Sequence, residues 1–490
     1  MNPGADSLGE PSREELIALV RAQAAEIAAL KARIAELERR LGLNSSNSGK
    51  PPSSDGLKKP PRVRSLREPS DKPSGGQKGH QGETLRQVTE PDRIVDHYPL
   101  SCTACGATVT PVTSAGHCAR QVFDLPEPAA LVVTEHRAHD CRCSGCGARR
   151  RALFPDGIKA PVQYGPRIAA FVTYLLHLLH YQLLPEDRLT ELMADLFGVK
   201  LAAATIARMS RTCAARWQDF ITTVRDLVAG APVKHMDETG FRIGGKTQWL
   251  HVASTAWLTF YRVCARRGSL LAKVVGIVVH DHWKPYYTMP NVLHALCNAH
   301  HLRELKALID IEKEDWARNM QQLLRRACHA ANLAAERALR EDLSIALNTL
   351  KPRLLARFER RYDAIIAEGL AFHEAQSPLA PATRKGNPKP RGRKPRRTGH
   401  NLLLRLATRK QDVLRFLKDP AVPFTNNQAE RDVRMMKVKQ KISGGFRCLD
   451  AATDFADIRS FISTAKKQGW NVIQAIAQDP QILINSLRMA

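Results

Sequence analysis

Two cysteine knuckles and three widely spaced acids are the residues whose types and spacing could do chemistry. "CTACG" carries Cys102 and Cys105, and "CRCSGCG" carries Cys143 and Cys146. A two-residue gap lets both thiolates of a knuckle reach one ion, while the glycine after it relaxes the turn. Two such knuckles make the tetrahedral four-thiolate set of a structural zinc ribbon. The strand-like stretches between them, "RQVFDLP" and "LVVTEHRAHD", suit a ribbon and offer no thioredoxin-like βαβ context for a redox pair. Cys141 competes with Cys143, but only Cys143 completes the spacing. The acids are Asp237, Asp281 and Glu430. Glu430 opens "ERDVRMMKVKQK", where Arg431, Arg434, Lys437, Lys439 and Lys441 follow. A polyanion would be drawn to that run and repelled by the carboxylate. Either Glu430 is a first-turn acid that suits the helix macrodipole, or it holds something positive that the polyanion also needs.

The elements that must position these acids start at Ala231. "PVKHMDETGFRI" reads as a strand, "GGK" as a hairpin, "TQWLHVAS" and "WLTFYRVC" as two more strands, and "KVVGIVV" as a fully buried fourth. Three meandering strands and a buried fourth are the opening order of a ribonuclease-H-like sheet. Asp237 lies in the first strand and Asp281 just past the fourth. Three carboxylates on such a frame can hold two divalent ions about 3.5–4 Å apart, which serve the attacking and leaving oxygens of a phosphodiester. Hard carboxylate ligands suit Mg2+ or Mn2+. Glu238 rivals Asp237, although strand alternation points it to the opposite face.

After Asp281 the chain turns helical at "LCNAHHLRELKALI", with long helical stretches from about 314 to 373. "RKGNPKPRGRKPRRTGH" then sets eight Lys or Arg between Arg384 and Arg397 with no acid, so Arg391, Arg393 and Lys394 are candidate DNA contacts. Thr425 or Asn426 can cap the helix that Glu430 begins. Arg434, Lys437 and Lys441 then follow at +4, +7 and +11 along one face, a stripe for phosphates beside an acid for metal.

The chain of 490 residues carries a formal charge of +26, which points to a nucleic-acid partner. Its eleven cysteines are concentrated at the knuckles, and no charged-then-apolar leader precedes a cleavage site, so a secreted disulfide scaffold is not expected. The longest apolar stretch, "IAAFVTYLLHLLHYQLL", is too short and too polar to span a membrane and reads as a buried helix. A soluble cytoplasmic protein associated with the nucleoid is the expectation. Near the start, Val20, Ile27, Ile34 and Leu41 occupy heptad position a, with Leu16, Gln23, Leu30 and Leu37 at d. β-Branched a with leucine d favours a parallel two-stranded coiled coil, with Glu26 and Arg33 placed to meet Lys31 and Glu38 of a partner. Residues rich in Ser, Pro and Lys follow as a linker or DNA-contacting arm. "LTELMADLFGVKLAAATIARM" has the outline of a helix-turn-helix, shared with many helical hairpins.

"MDETGFRIGGKTQWLHVAST", "HALCNAHHLRELKAL" and "PFTNNQAERDVRMMKVKQKISGGF" resemble the insertion sequence 66 family of bacterial DDE transposases. So do "LGLNSSNSGKPPSSDG", "GGQKGHQGETLRQV" and the paired knuckles. The resemblance implies Asp237, Asp281 and Glu430 as the catalytic triad, a zinc-binding N-terminal module, and cut-and-join chemistry on transposon ends and target DNA. Accessory transposition proteins are part of that implication. "HDHWKPYY" departs from the usual aspartate-glycine context by placing His282 after the acid. Cys297 and His300 resemble a Cys-x2-His element of some DDE enzymes but read more simply as a satisfied helix-start pair, with His301 at the surface. The expected fold is multidomain and mainly α with an α/β core. It comprises a coiled-coil helix (1–43), linker or arm (44–98), zinc ribbon (99–150), helical DNA-binding or connecting domain (151–228), ribonuclease-H-like catalytic domain (229–465) with a helical and basic insertion at about 310–400, and a helical tail (466–490). A zinc- and coiled-coil-containing DNA-binding protein without catalysis, and a metal-dependent nuclease that never joins, are the rival readings.

Overall fold

The computed structural model describes residues 12–44, 47–48, 87–97, 104–108, 118–122, 131–142, 144, 146, 149–177, 183–340, 350–377, 379 and 396–488. The chain divides into two compact units, residues 65–152 with 193–200, and the rest.

Helix α1 (Arg13–Gly42) begins in a capping box: Ser12 N–H donates to Glu15 Oε2 at 2.8 Å, and Glu15 N–H to Ser12 Oγ at 3.3 Å. Its Leu16, Val20, Ile27, Leu30, Ile34, Leu37 and Leu41 are all exposed, so the apolar heptad seam lies open. In the smaller unit, β1 (Asp140–Arg142) pairs antiparallel with β2 (Arg149–Arg151). Cys141 belongs to β1, and Cys146 is exposed in the turn between the strands. Cys105 is exposed in an earlier turn, followed by Gly106 at φ +76°. Cys102 and Cys143 lie outside the described residues, as do Arg391, Arg393 and Lys394.

The next helices are α2 (Pro166–His177), α3 (Glu186–Phe197), whose residues from Met193 count with the smaller unit, α4 (Ala203–Arg216) and α5 (Gln218–Gly230). The expected buried helix is α2, with Ala170, Val172, Thr173 and His177 inside. Gly198, at φ +62°, follows α3 where the sequence places a turn. Among the described residues no helix is long and apolar enough to cross a membrane.

Next comes a five-stranded sheet. Strands β3 (Val233–Ile243), β4 (Lys246–Ser254) and β5 (Thr259–Cys264) form an antiparallel meander. Gly244 and Gly245, both at positive φ, make the two-residue hairpin that matches strand twist. Strands β6 (Gly276–His280) and β7 (Val292–Leu296) run parallel to β3 on its other side, so the order is β5-β4-β3-β6-β7. β6 begins at Gly276, later than "KVVGIVV" suggests. Gly276 has φ +77°, and a Cβ there would meet Pro232 O at 2.5 Å, so this start requires glycine. β7 is a correction to the sequence expectation, which has no strand after Asp281. It is five residues long, too short for periodicity to tell a strand from a helix.

The remaining helices are α6 (Asn298–Ala307), α7 (Asp315–Arg340), α8 (Pro352–Glu374), α9 (Thr398–Thr408), the single turns α10 (Lys410–Val413) and α11 (Arg415–Lys418), α12 (Asn427–Ser443), α13 (Leu449–Lys467), α14 (Val472–Ala477) and α15 (Pro480–Asn485). Alternation along β6 splits the core. Val278 joins Trp217, just before α5, Phe220 of α5 and Phe461 of α13, whereas Ile277 and Val279 join Leu302, Leu305, Met320 and Leu403 of the α6–α9 layer. Trp217 stacks on Phe461 at 3.9 Å between centroids. α12 lies against β3 and β4. That packing brings the late acid to the early strands.

Candidate functional site

Asp237 sits mid-way along β3, the central strand. The pleat sends Glu238 the other way, where its carboxylate accepts the Tyr286 hydroxyl at 2.6 Å and the Arg267 guanidinium at 2.7 Å. Arg267 in turn lies over the Trp283 ring at 4.3 Å. Glu238 is thus engaged on its own face, as alternation predicts. Asp237 accepts the Glu238 N–H at 2.9 Å. Burial, then the adjacent Glu238 carboxylate, hold its carboxyl well above the usual range, and Asp281 and Glu430 push the same way. All three acids therefore share one electrostatic neighbourhood.

Asp281 is the first residue beyond β6, and its Oδ1 accepts the Trp283 N–H at 2.9 Å. Between them His282 has φ +72°, a backbone conformation that favours glycine. The departure from an aspartate-glycine context thus keeps the glycine-like turn but builds it from a strained histidine.

Glu430 occupies the first turn of α12. Its Oε1 faces Cys297 Sγ at 3.5 Å and His300 Nδ1 at 3.7 Å. Its Oε2 faces Arg303 at 3.7 Å and Arg434 at 3.8 Å. Burial, and next the Glu430 carboxylate, push the Cys297 thiol up to about 12. Asn426 precedes the helix but does not cap it with its side chain, contrary to expectation. Its buried carboxamide must find partners, and it finds them in β3: Nδ2 donates to Met236 O at 2.8 Å, and Oδ1 lies 2.9 Å from His235 Nδ1. Its N–H donates to Cys297 Sγ at 3.1 Å. This residue ties the start of α12 to the strand that carries Asp237.

Beyond Glu430, Arg434, Lys437 and Lys441 are exposed, with the Lys437 ammonium donating to Gly240 O at 2.6 Å. Lys439, in the same run but not on that stripe, lies over Phe446, 4.0 Å from the ring centroid. His301 is a second correction: expected at the surface, it is 2% exposed and bonds Asn298 Oδ1 at 3.2 Å. One step along a helix turns a side chain by about 100°, so His300 faces Glu430 while His301 enters the core.

A family model described as "Transposase IS66 family" matches residues 161–454, more than half of the chain and all three acids. The chain belongs to that family. A second model, described as a family of unknown function (DUF6444), matches residues 1–86 of this IS66-family chain. An uncharacterized protein, y4jO, of Sinorhizobium fredii (strain NBRC 101917 / NGR234) is 36% identical over 77 residues, an alignment covering 15% of this chain and 24% of that one.

Sequence reasoning singles out Asp237, Asp281, Glu430, Cys297 and His300 in this IS66-family chain but misses two residues beside Glu430. Arg303 and the tether role of Asn426 carry no local signal. The Cys-x2-His spacing does, because i and i+3 share a helix face. What the spacing does not reveal is that this face meets α12.

Proposed function

We propose that this chain is a DDE transposase that cleaves DNA at the ends of an insertion sequence and joins the freed 3′-hydroxyl to target DNA. One observation carries the reading: Asp281, at the end of the neighbouring parallel strand, and Glu430, on the helix packed across the sheet, both act electrostatically on Asp237 of the central strand. The sheet order, with a three-strand meander and two strands parallel to the first, supports a ribonuclease-H-like core.

The donor set fits divalent metal. A dication would relieve the cost that burial and its acidic neighbours place on ionising Asp237, and the hard oxygens of the three carboxylates suit Mg2+ or Mn2+. Asp237, Asp281 and Glu430 would hold the metal, which when bound activates the attacking oxygen and offsets charge at the reacting phosphate. Arg303 and Arg434 orient Glu430 from its far oxygen. Arg434, Lys437 and Lys441 face solvent and bind the phosphates of the duplex. Water attacks the phosphodiester at an element end, leaving a 3′-hydroxyl. That hydroxyl then attacks a target phosphodiester and displaces its 3′-oxygen, with no covalent enzyme intermediate. Cys102, Cys105, Cys143 and Cys146 bind Zn2+ in this reading, Arg391, Arg393 and Lys394 add DNA contacts, and the open α1 seam pairs two chains. Accessory transposition proteins complete the reaction.

The test is cleavage and strand transfer of an end-containing duplex in Mg2+, beside DNA binding. Glu430→Gln keeps size and removes charge, so both reactions should fall by at least a thousandfold while binding is retained or tightens. A variant that still cuts at near the wild-type rate would mean that Glu430 is a first-turn helix acid, worth about 0.3–1 kcal/mol of stability. Cleavage without joining would select the nuclease reading.

A further inference from the structure

The arrangement around Glu430 has a second use. Cys297 Sγ, His300 Nδ1 and a Glu430 oxygen all lie within 4.8 Å of one another. A tetrahedral ion with bonds of about 2.3 Å to sulfur and about 2.0–2.1 Å to nitrogen and oxygen separates S from O by about 3.5 Å and N from O by about 3.4 Å. The observed separations from Oε1 are 3.5 Å to Sγ and 3.7 Å to Nδ1. The His300 Nδ1 is buried and has no hydrogen-bond partner among the described residues. The two arginines address Oε2, which leaves Oε1 to the sulfur and the imidazole. The Asn426 N–H, 3.1 Å from Sγ, supplies the kind of outer hydrogen bond that supports a metal-bound thiolate.

We propose that Cys297, His300 and Glu430 form a binding site for a thiophilic divalent cation such as Zn2+, distinct from the acid cluster but sharing Glu430 with it. Sulfur and imidazole select zinc over magnesium, which demands a near-octahedral oxygen shell. Binding transfers the thiol proton to solvent and leaves the fourth position of the ion to water, so the site is open and exchangeable. A Zn2+ here holds the Glu430 oxygen in competition with the acid cluster. The binding itself rests on the geometry alone; that competition rests on the function proposed above.

The full-length protein is titrated with Co2+ and read by thiolate-to-cobalt charge transfer and the visible bands of tetrahedral cobalt. The proposed four-thiolate ribbon also takes Co2+, so Cys297→Ser is the comparator. Wild type should bind one more ion per chain than Cys297→Ser, and Cys328→Ser, which alters a half-buried cysteine on α7, should match wild type. His300→Ala should weaken that additional ion at least tenfold, and it decides the matter if Cys297→Ser fails to fold. Equal stoichiometry and spectra in wild type and Cys297→Ser, or undiminished affinity in His300→Ala, overturn the site whether or not the protein cleaves DNA. Added Mg2+ should raise the Co2+ midpoint of this ion; an unmoved midpoint overturns the sharing of Glu430.

Discussion

At the residue scale, Glu430 and the basic run behind it occupy successive turns of α12 with opposite charge and, in the proposed function, separate tasks. Glu430 faces Cys297 and His300, and Arg434 is exposed, although the two meet at 3.8 Å. A carboxylate this close to Arg303 and Arg434 keeps its place without a helix cap. If Arg434 and Lys437 contact phosphates, changing either to alanine removes about one released counterion. The slope of log affinity against log salt should then become shallower by about one unit for each substitution. Binding isotherms across salt concentrations check this. An unchanged slope would return Lys437 to its visible role as a donor to Gly240 O. Lys439, folded over Phe446, should show no such effect.

At the element scale, one buried amide ties the start of α12 to β3. Asn426→Ala leaves Met236 O and His235 Nδ1 without their partners, at a cost of about 1–3 kcal/mol. Denaturant unfolding should show that loss, and cleavage should fall further than the stability alone accounts for. Another joint responds to acid. His177, at the end of α2, lies 2.7 Å from Ser210 Oγ, and its carbonyl accepts from Arg459 of α13. Burial first, then the Arg459 guanidinium, depress its imidazole to about 3. The folded chain thus binds fewer protons than the unfolded chain between about pH 6.5 and pH 3, and stability is lost as pH falls through that window. The slope is about 1.4 kcal/mol per pH unit for one such group. His177→Gln should flatten the dependence of melting temperature on pH below 6; an unchanged slope would move the acid sensitivity elsewhere.

At the scale of the whole molecule, α1 carries an apolar seam that is exposed among the described residues. Val20 is 62% exposed and Leu41 86%. A heptad of β-branched a and leucine d left open in one chain is suited to a second copy. Ile27→Lys with Ile34→Lys puts charges into that seam and should shift the protein from dimer to monomer in sedimentation. A wild-type chain that sediments as a monomer at high concentration removes the coiled coil from the proposal.

Local pattern was enough for whatever repeats or alternates over short distances. The 4-3 spacing marks α1, period-two runs mark β3 to β5, paired glycines mark their hairpin, and motif and context pick out Asp237, Asp281 and Glu430 as candidates. A five-residue strand such as β7 holds too few turns of any period to announce itself. The burial of His301, the choice of Asn426 for β3 over its own helix, and the meeting of Cys297 and His300 with Glu430 are contacts between segments more than a hundred residues apart or rotations about a helix axis. Those depend on which face packs against which neighbour. Hydrophobic burial sets that only once the sheet and its helices come together, and so the tertiary structure alone decided them.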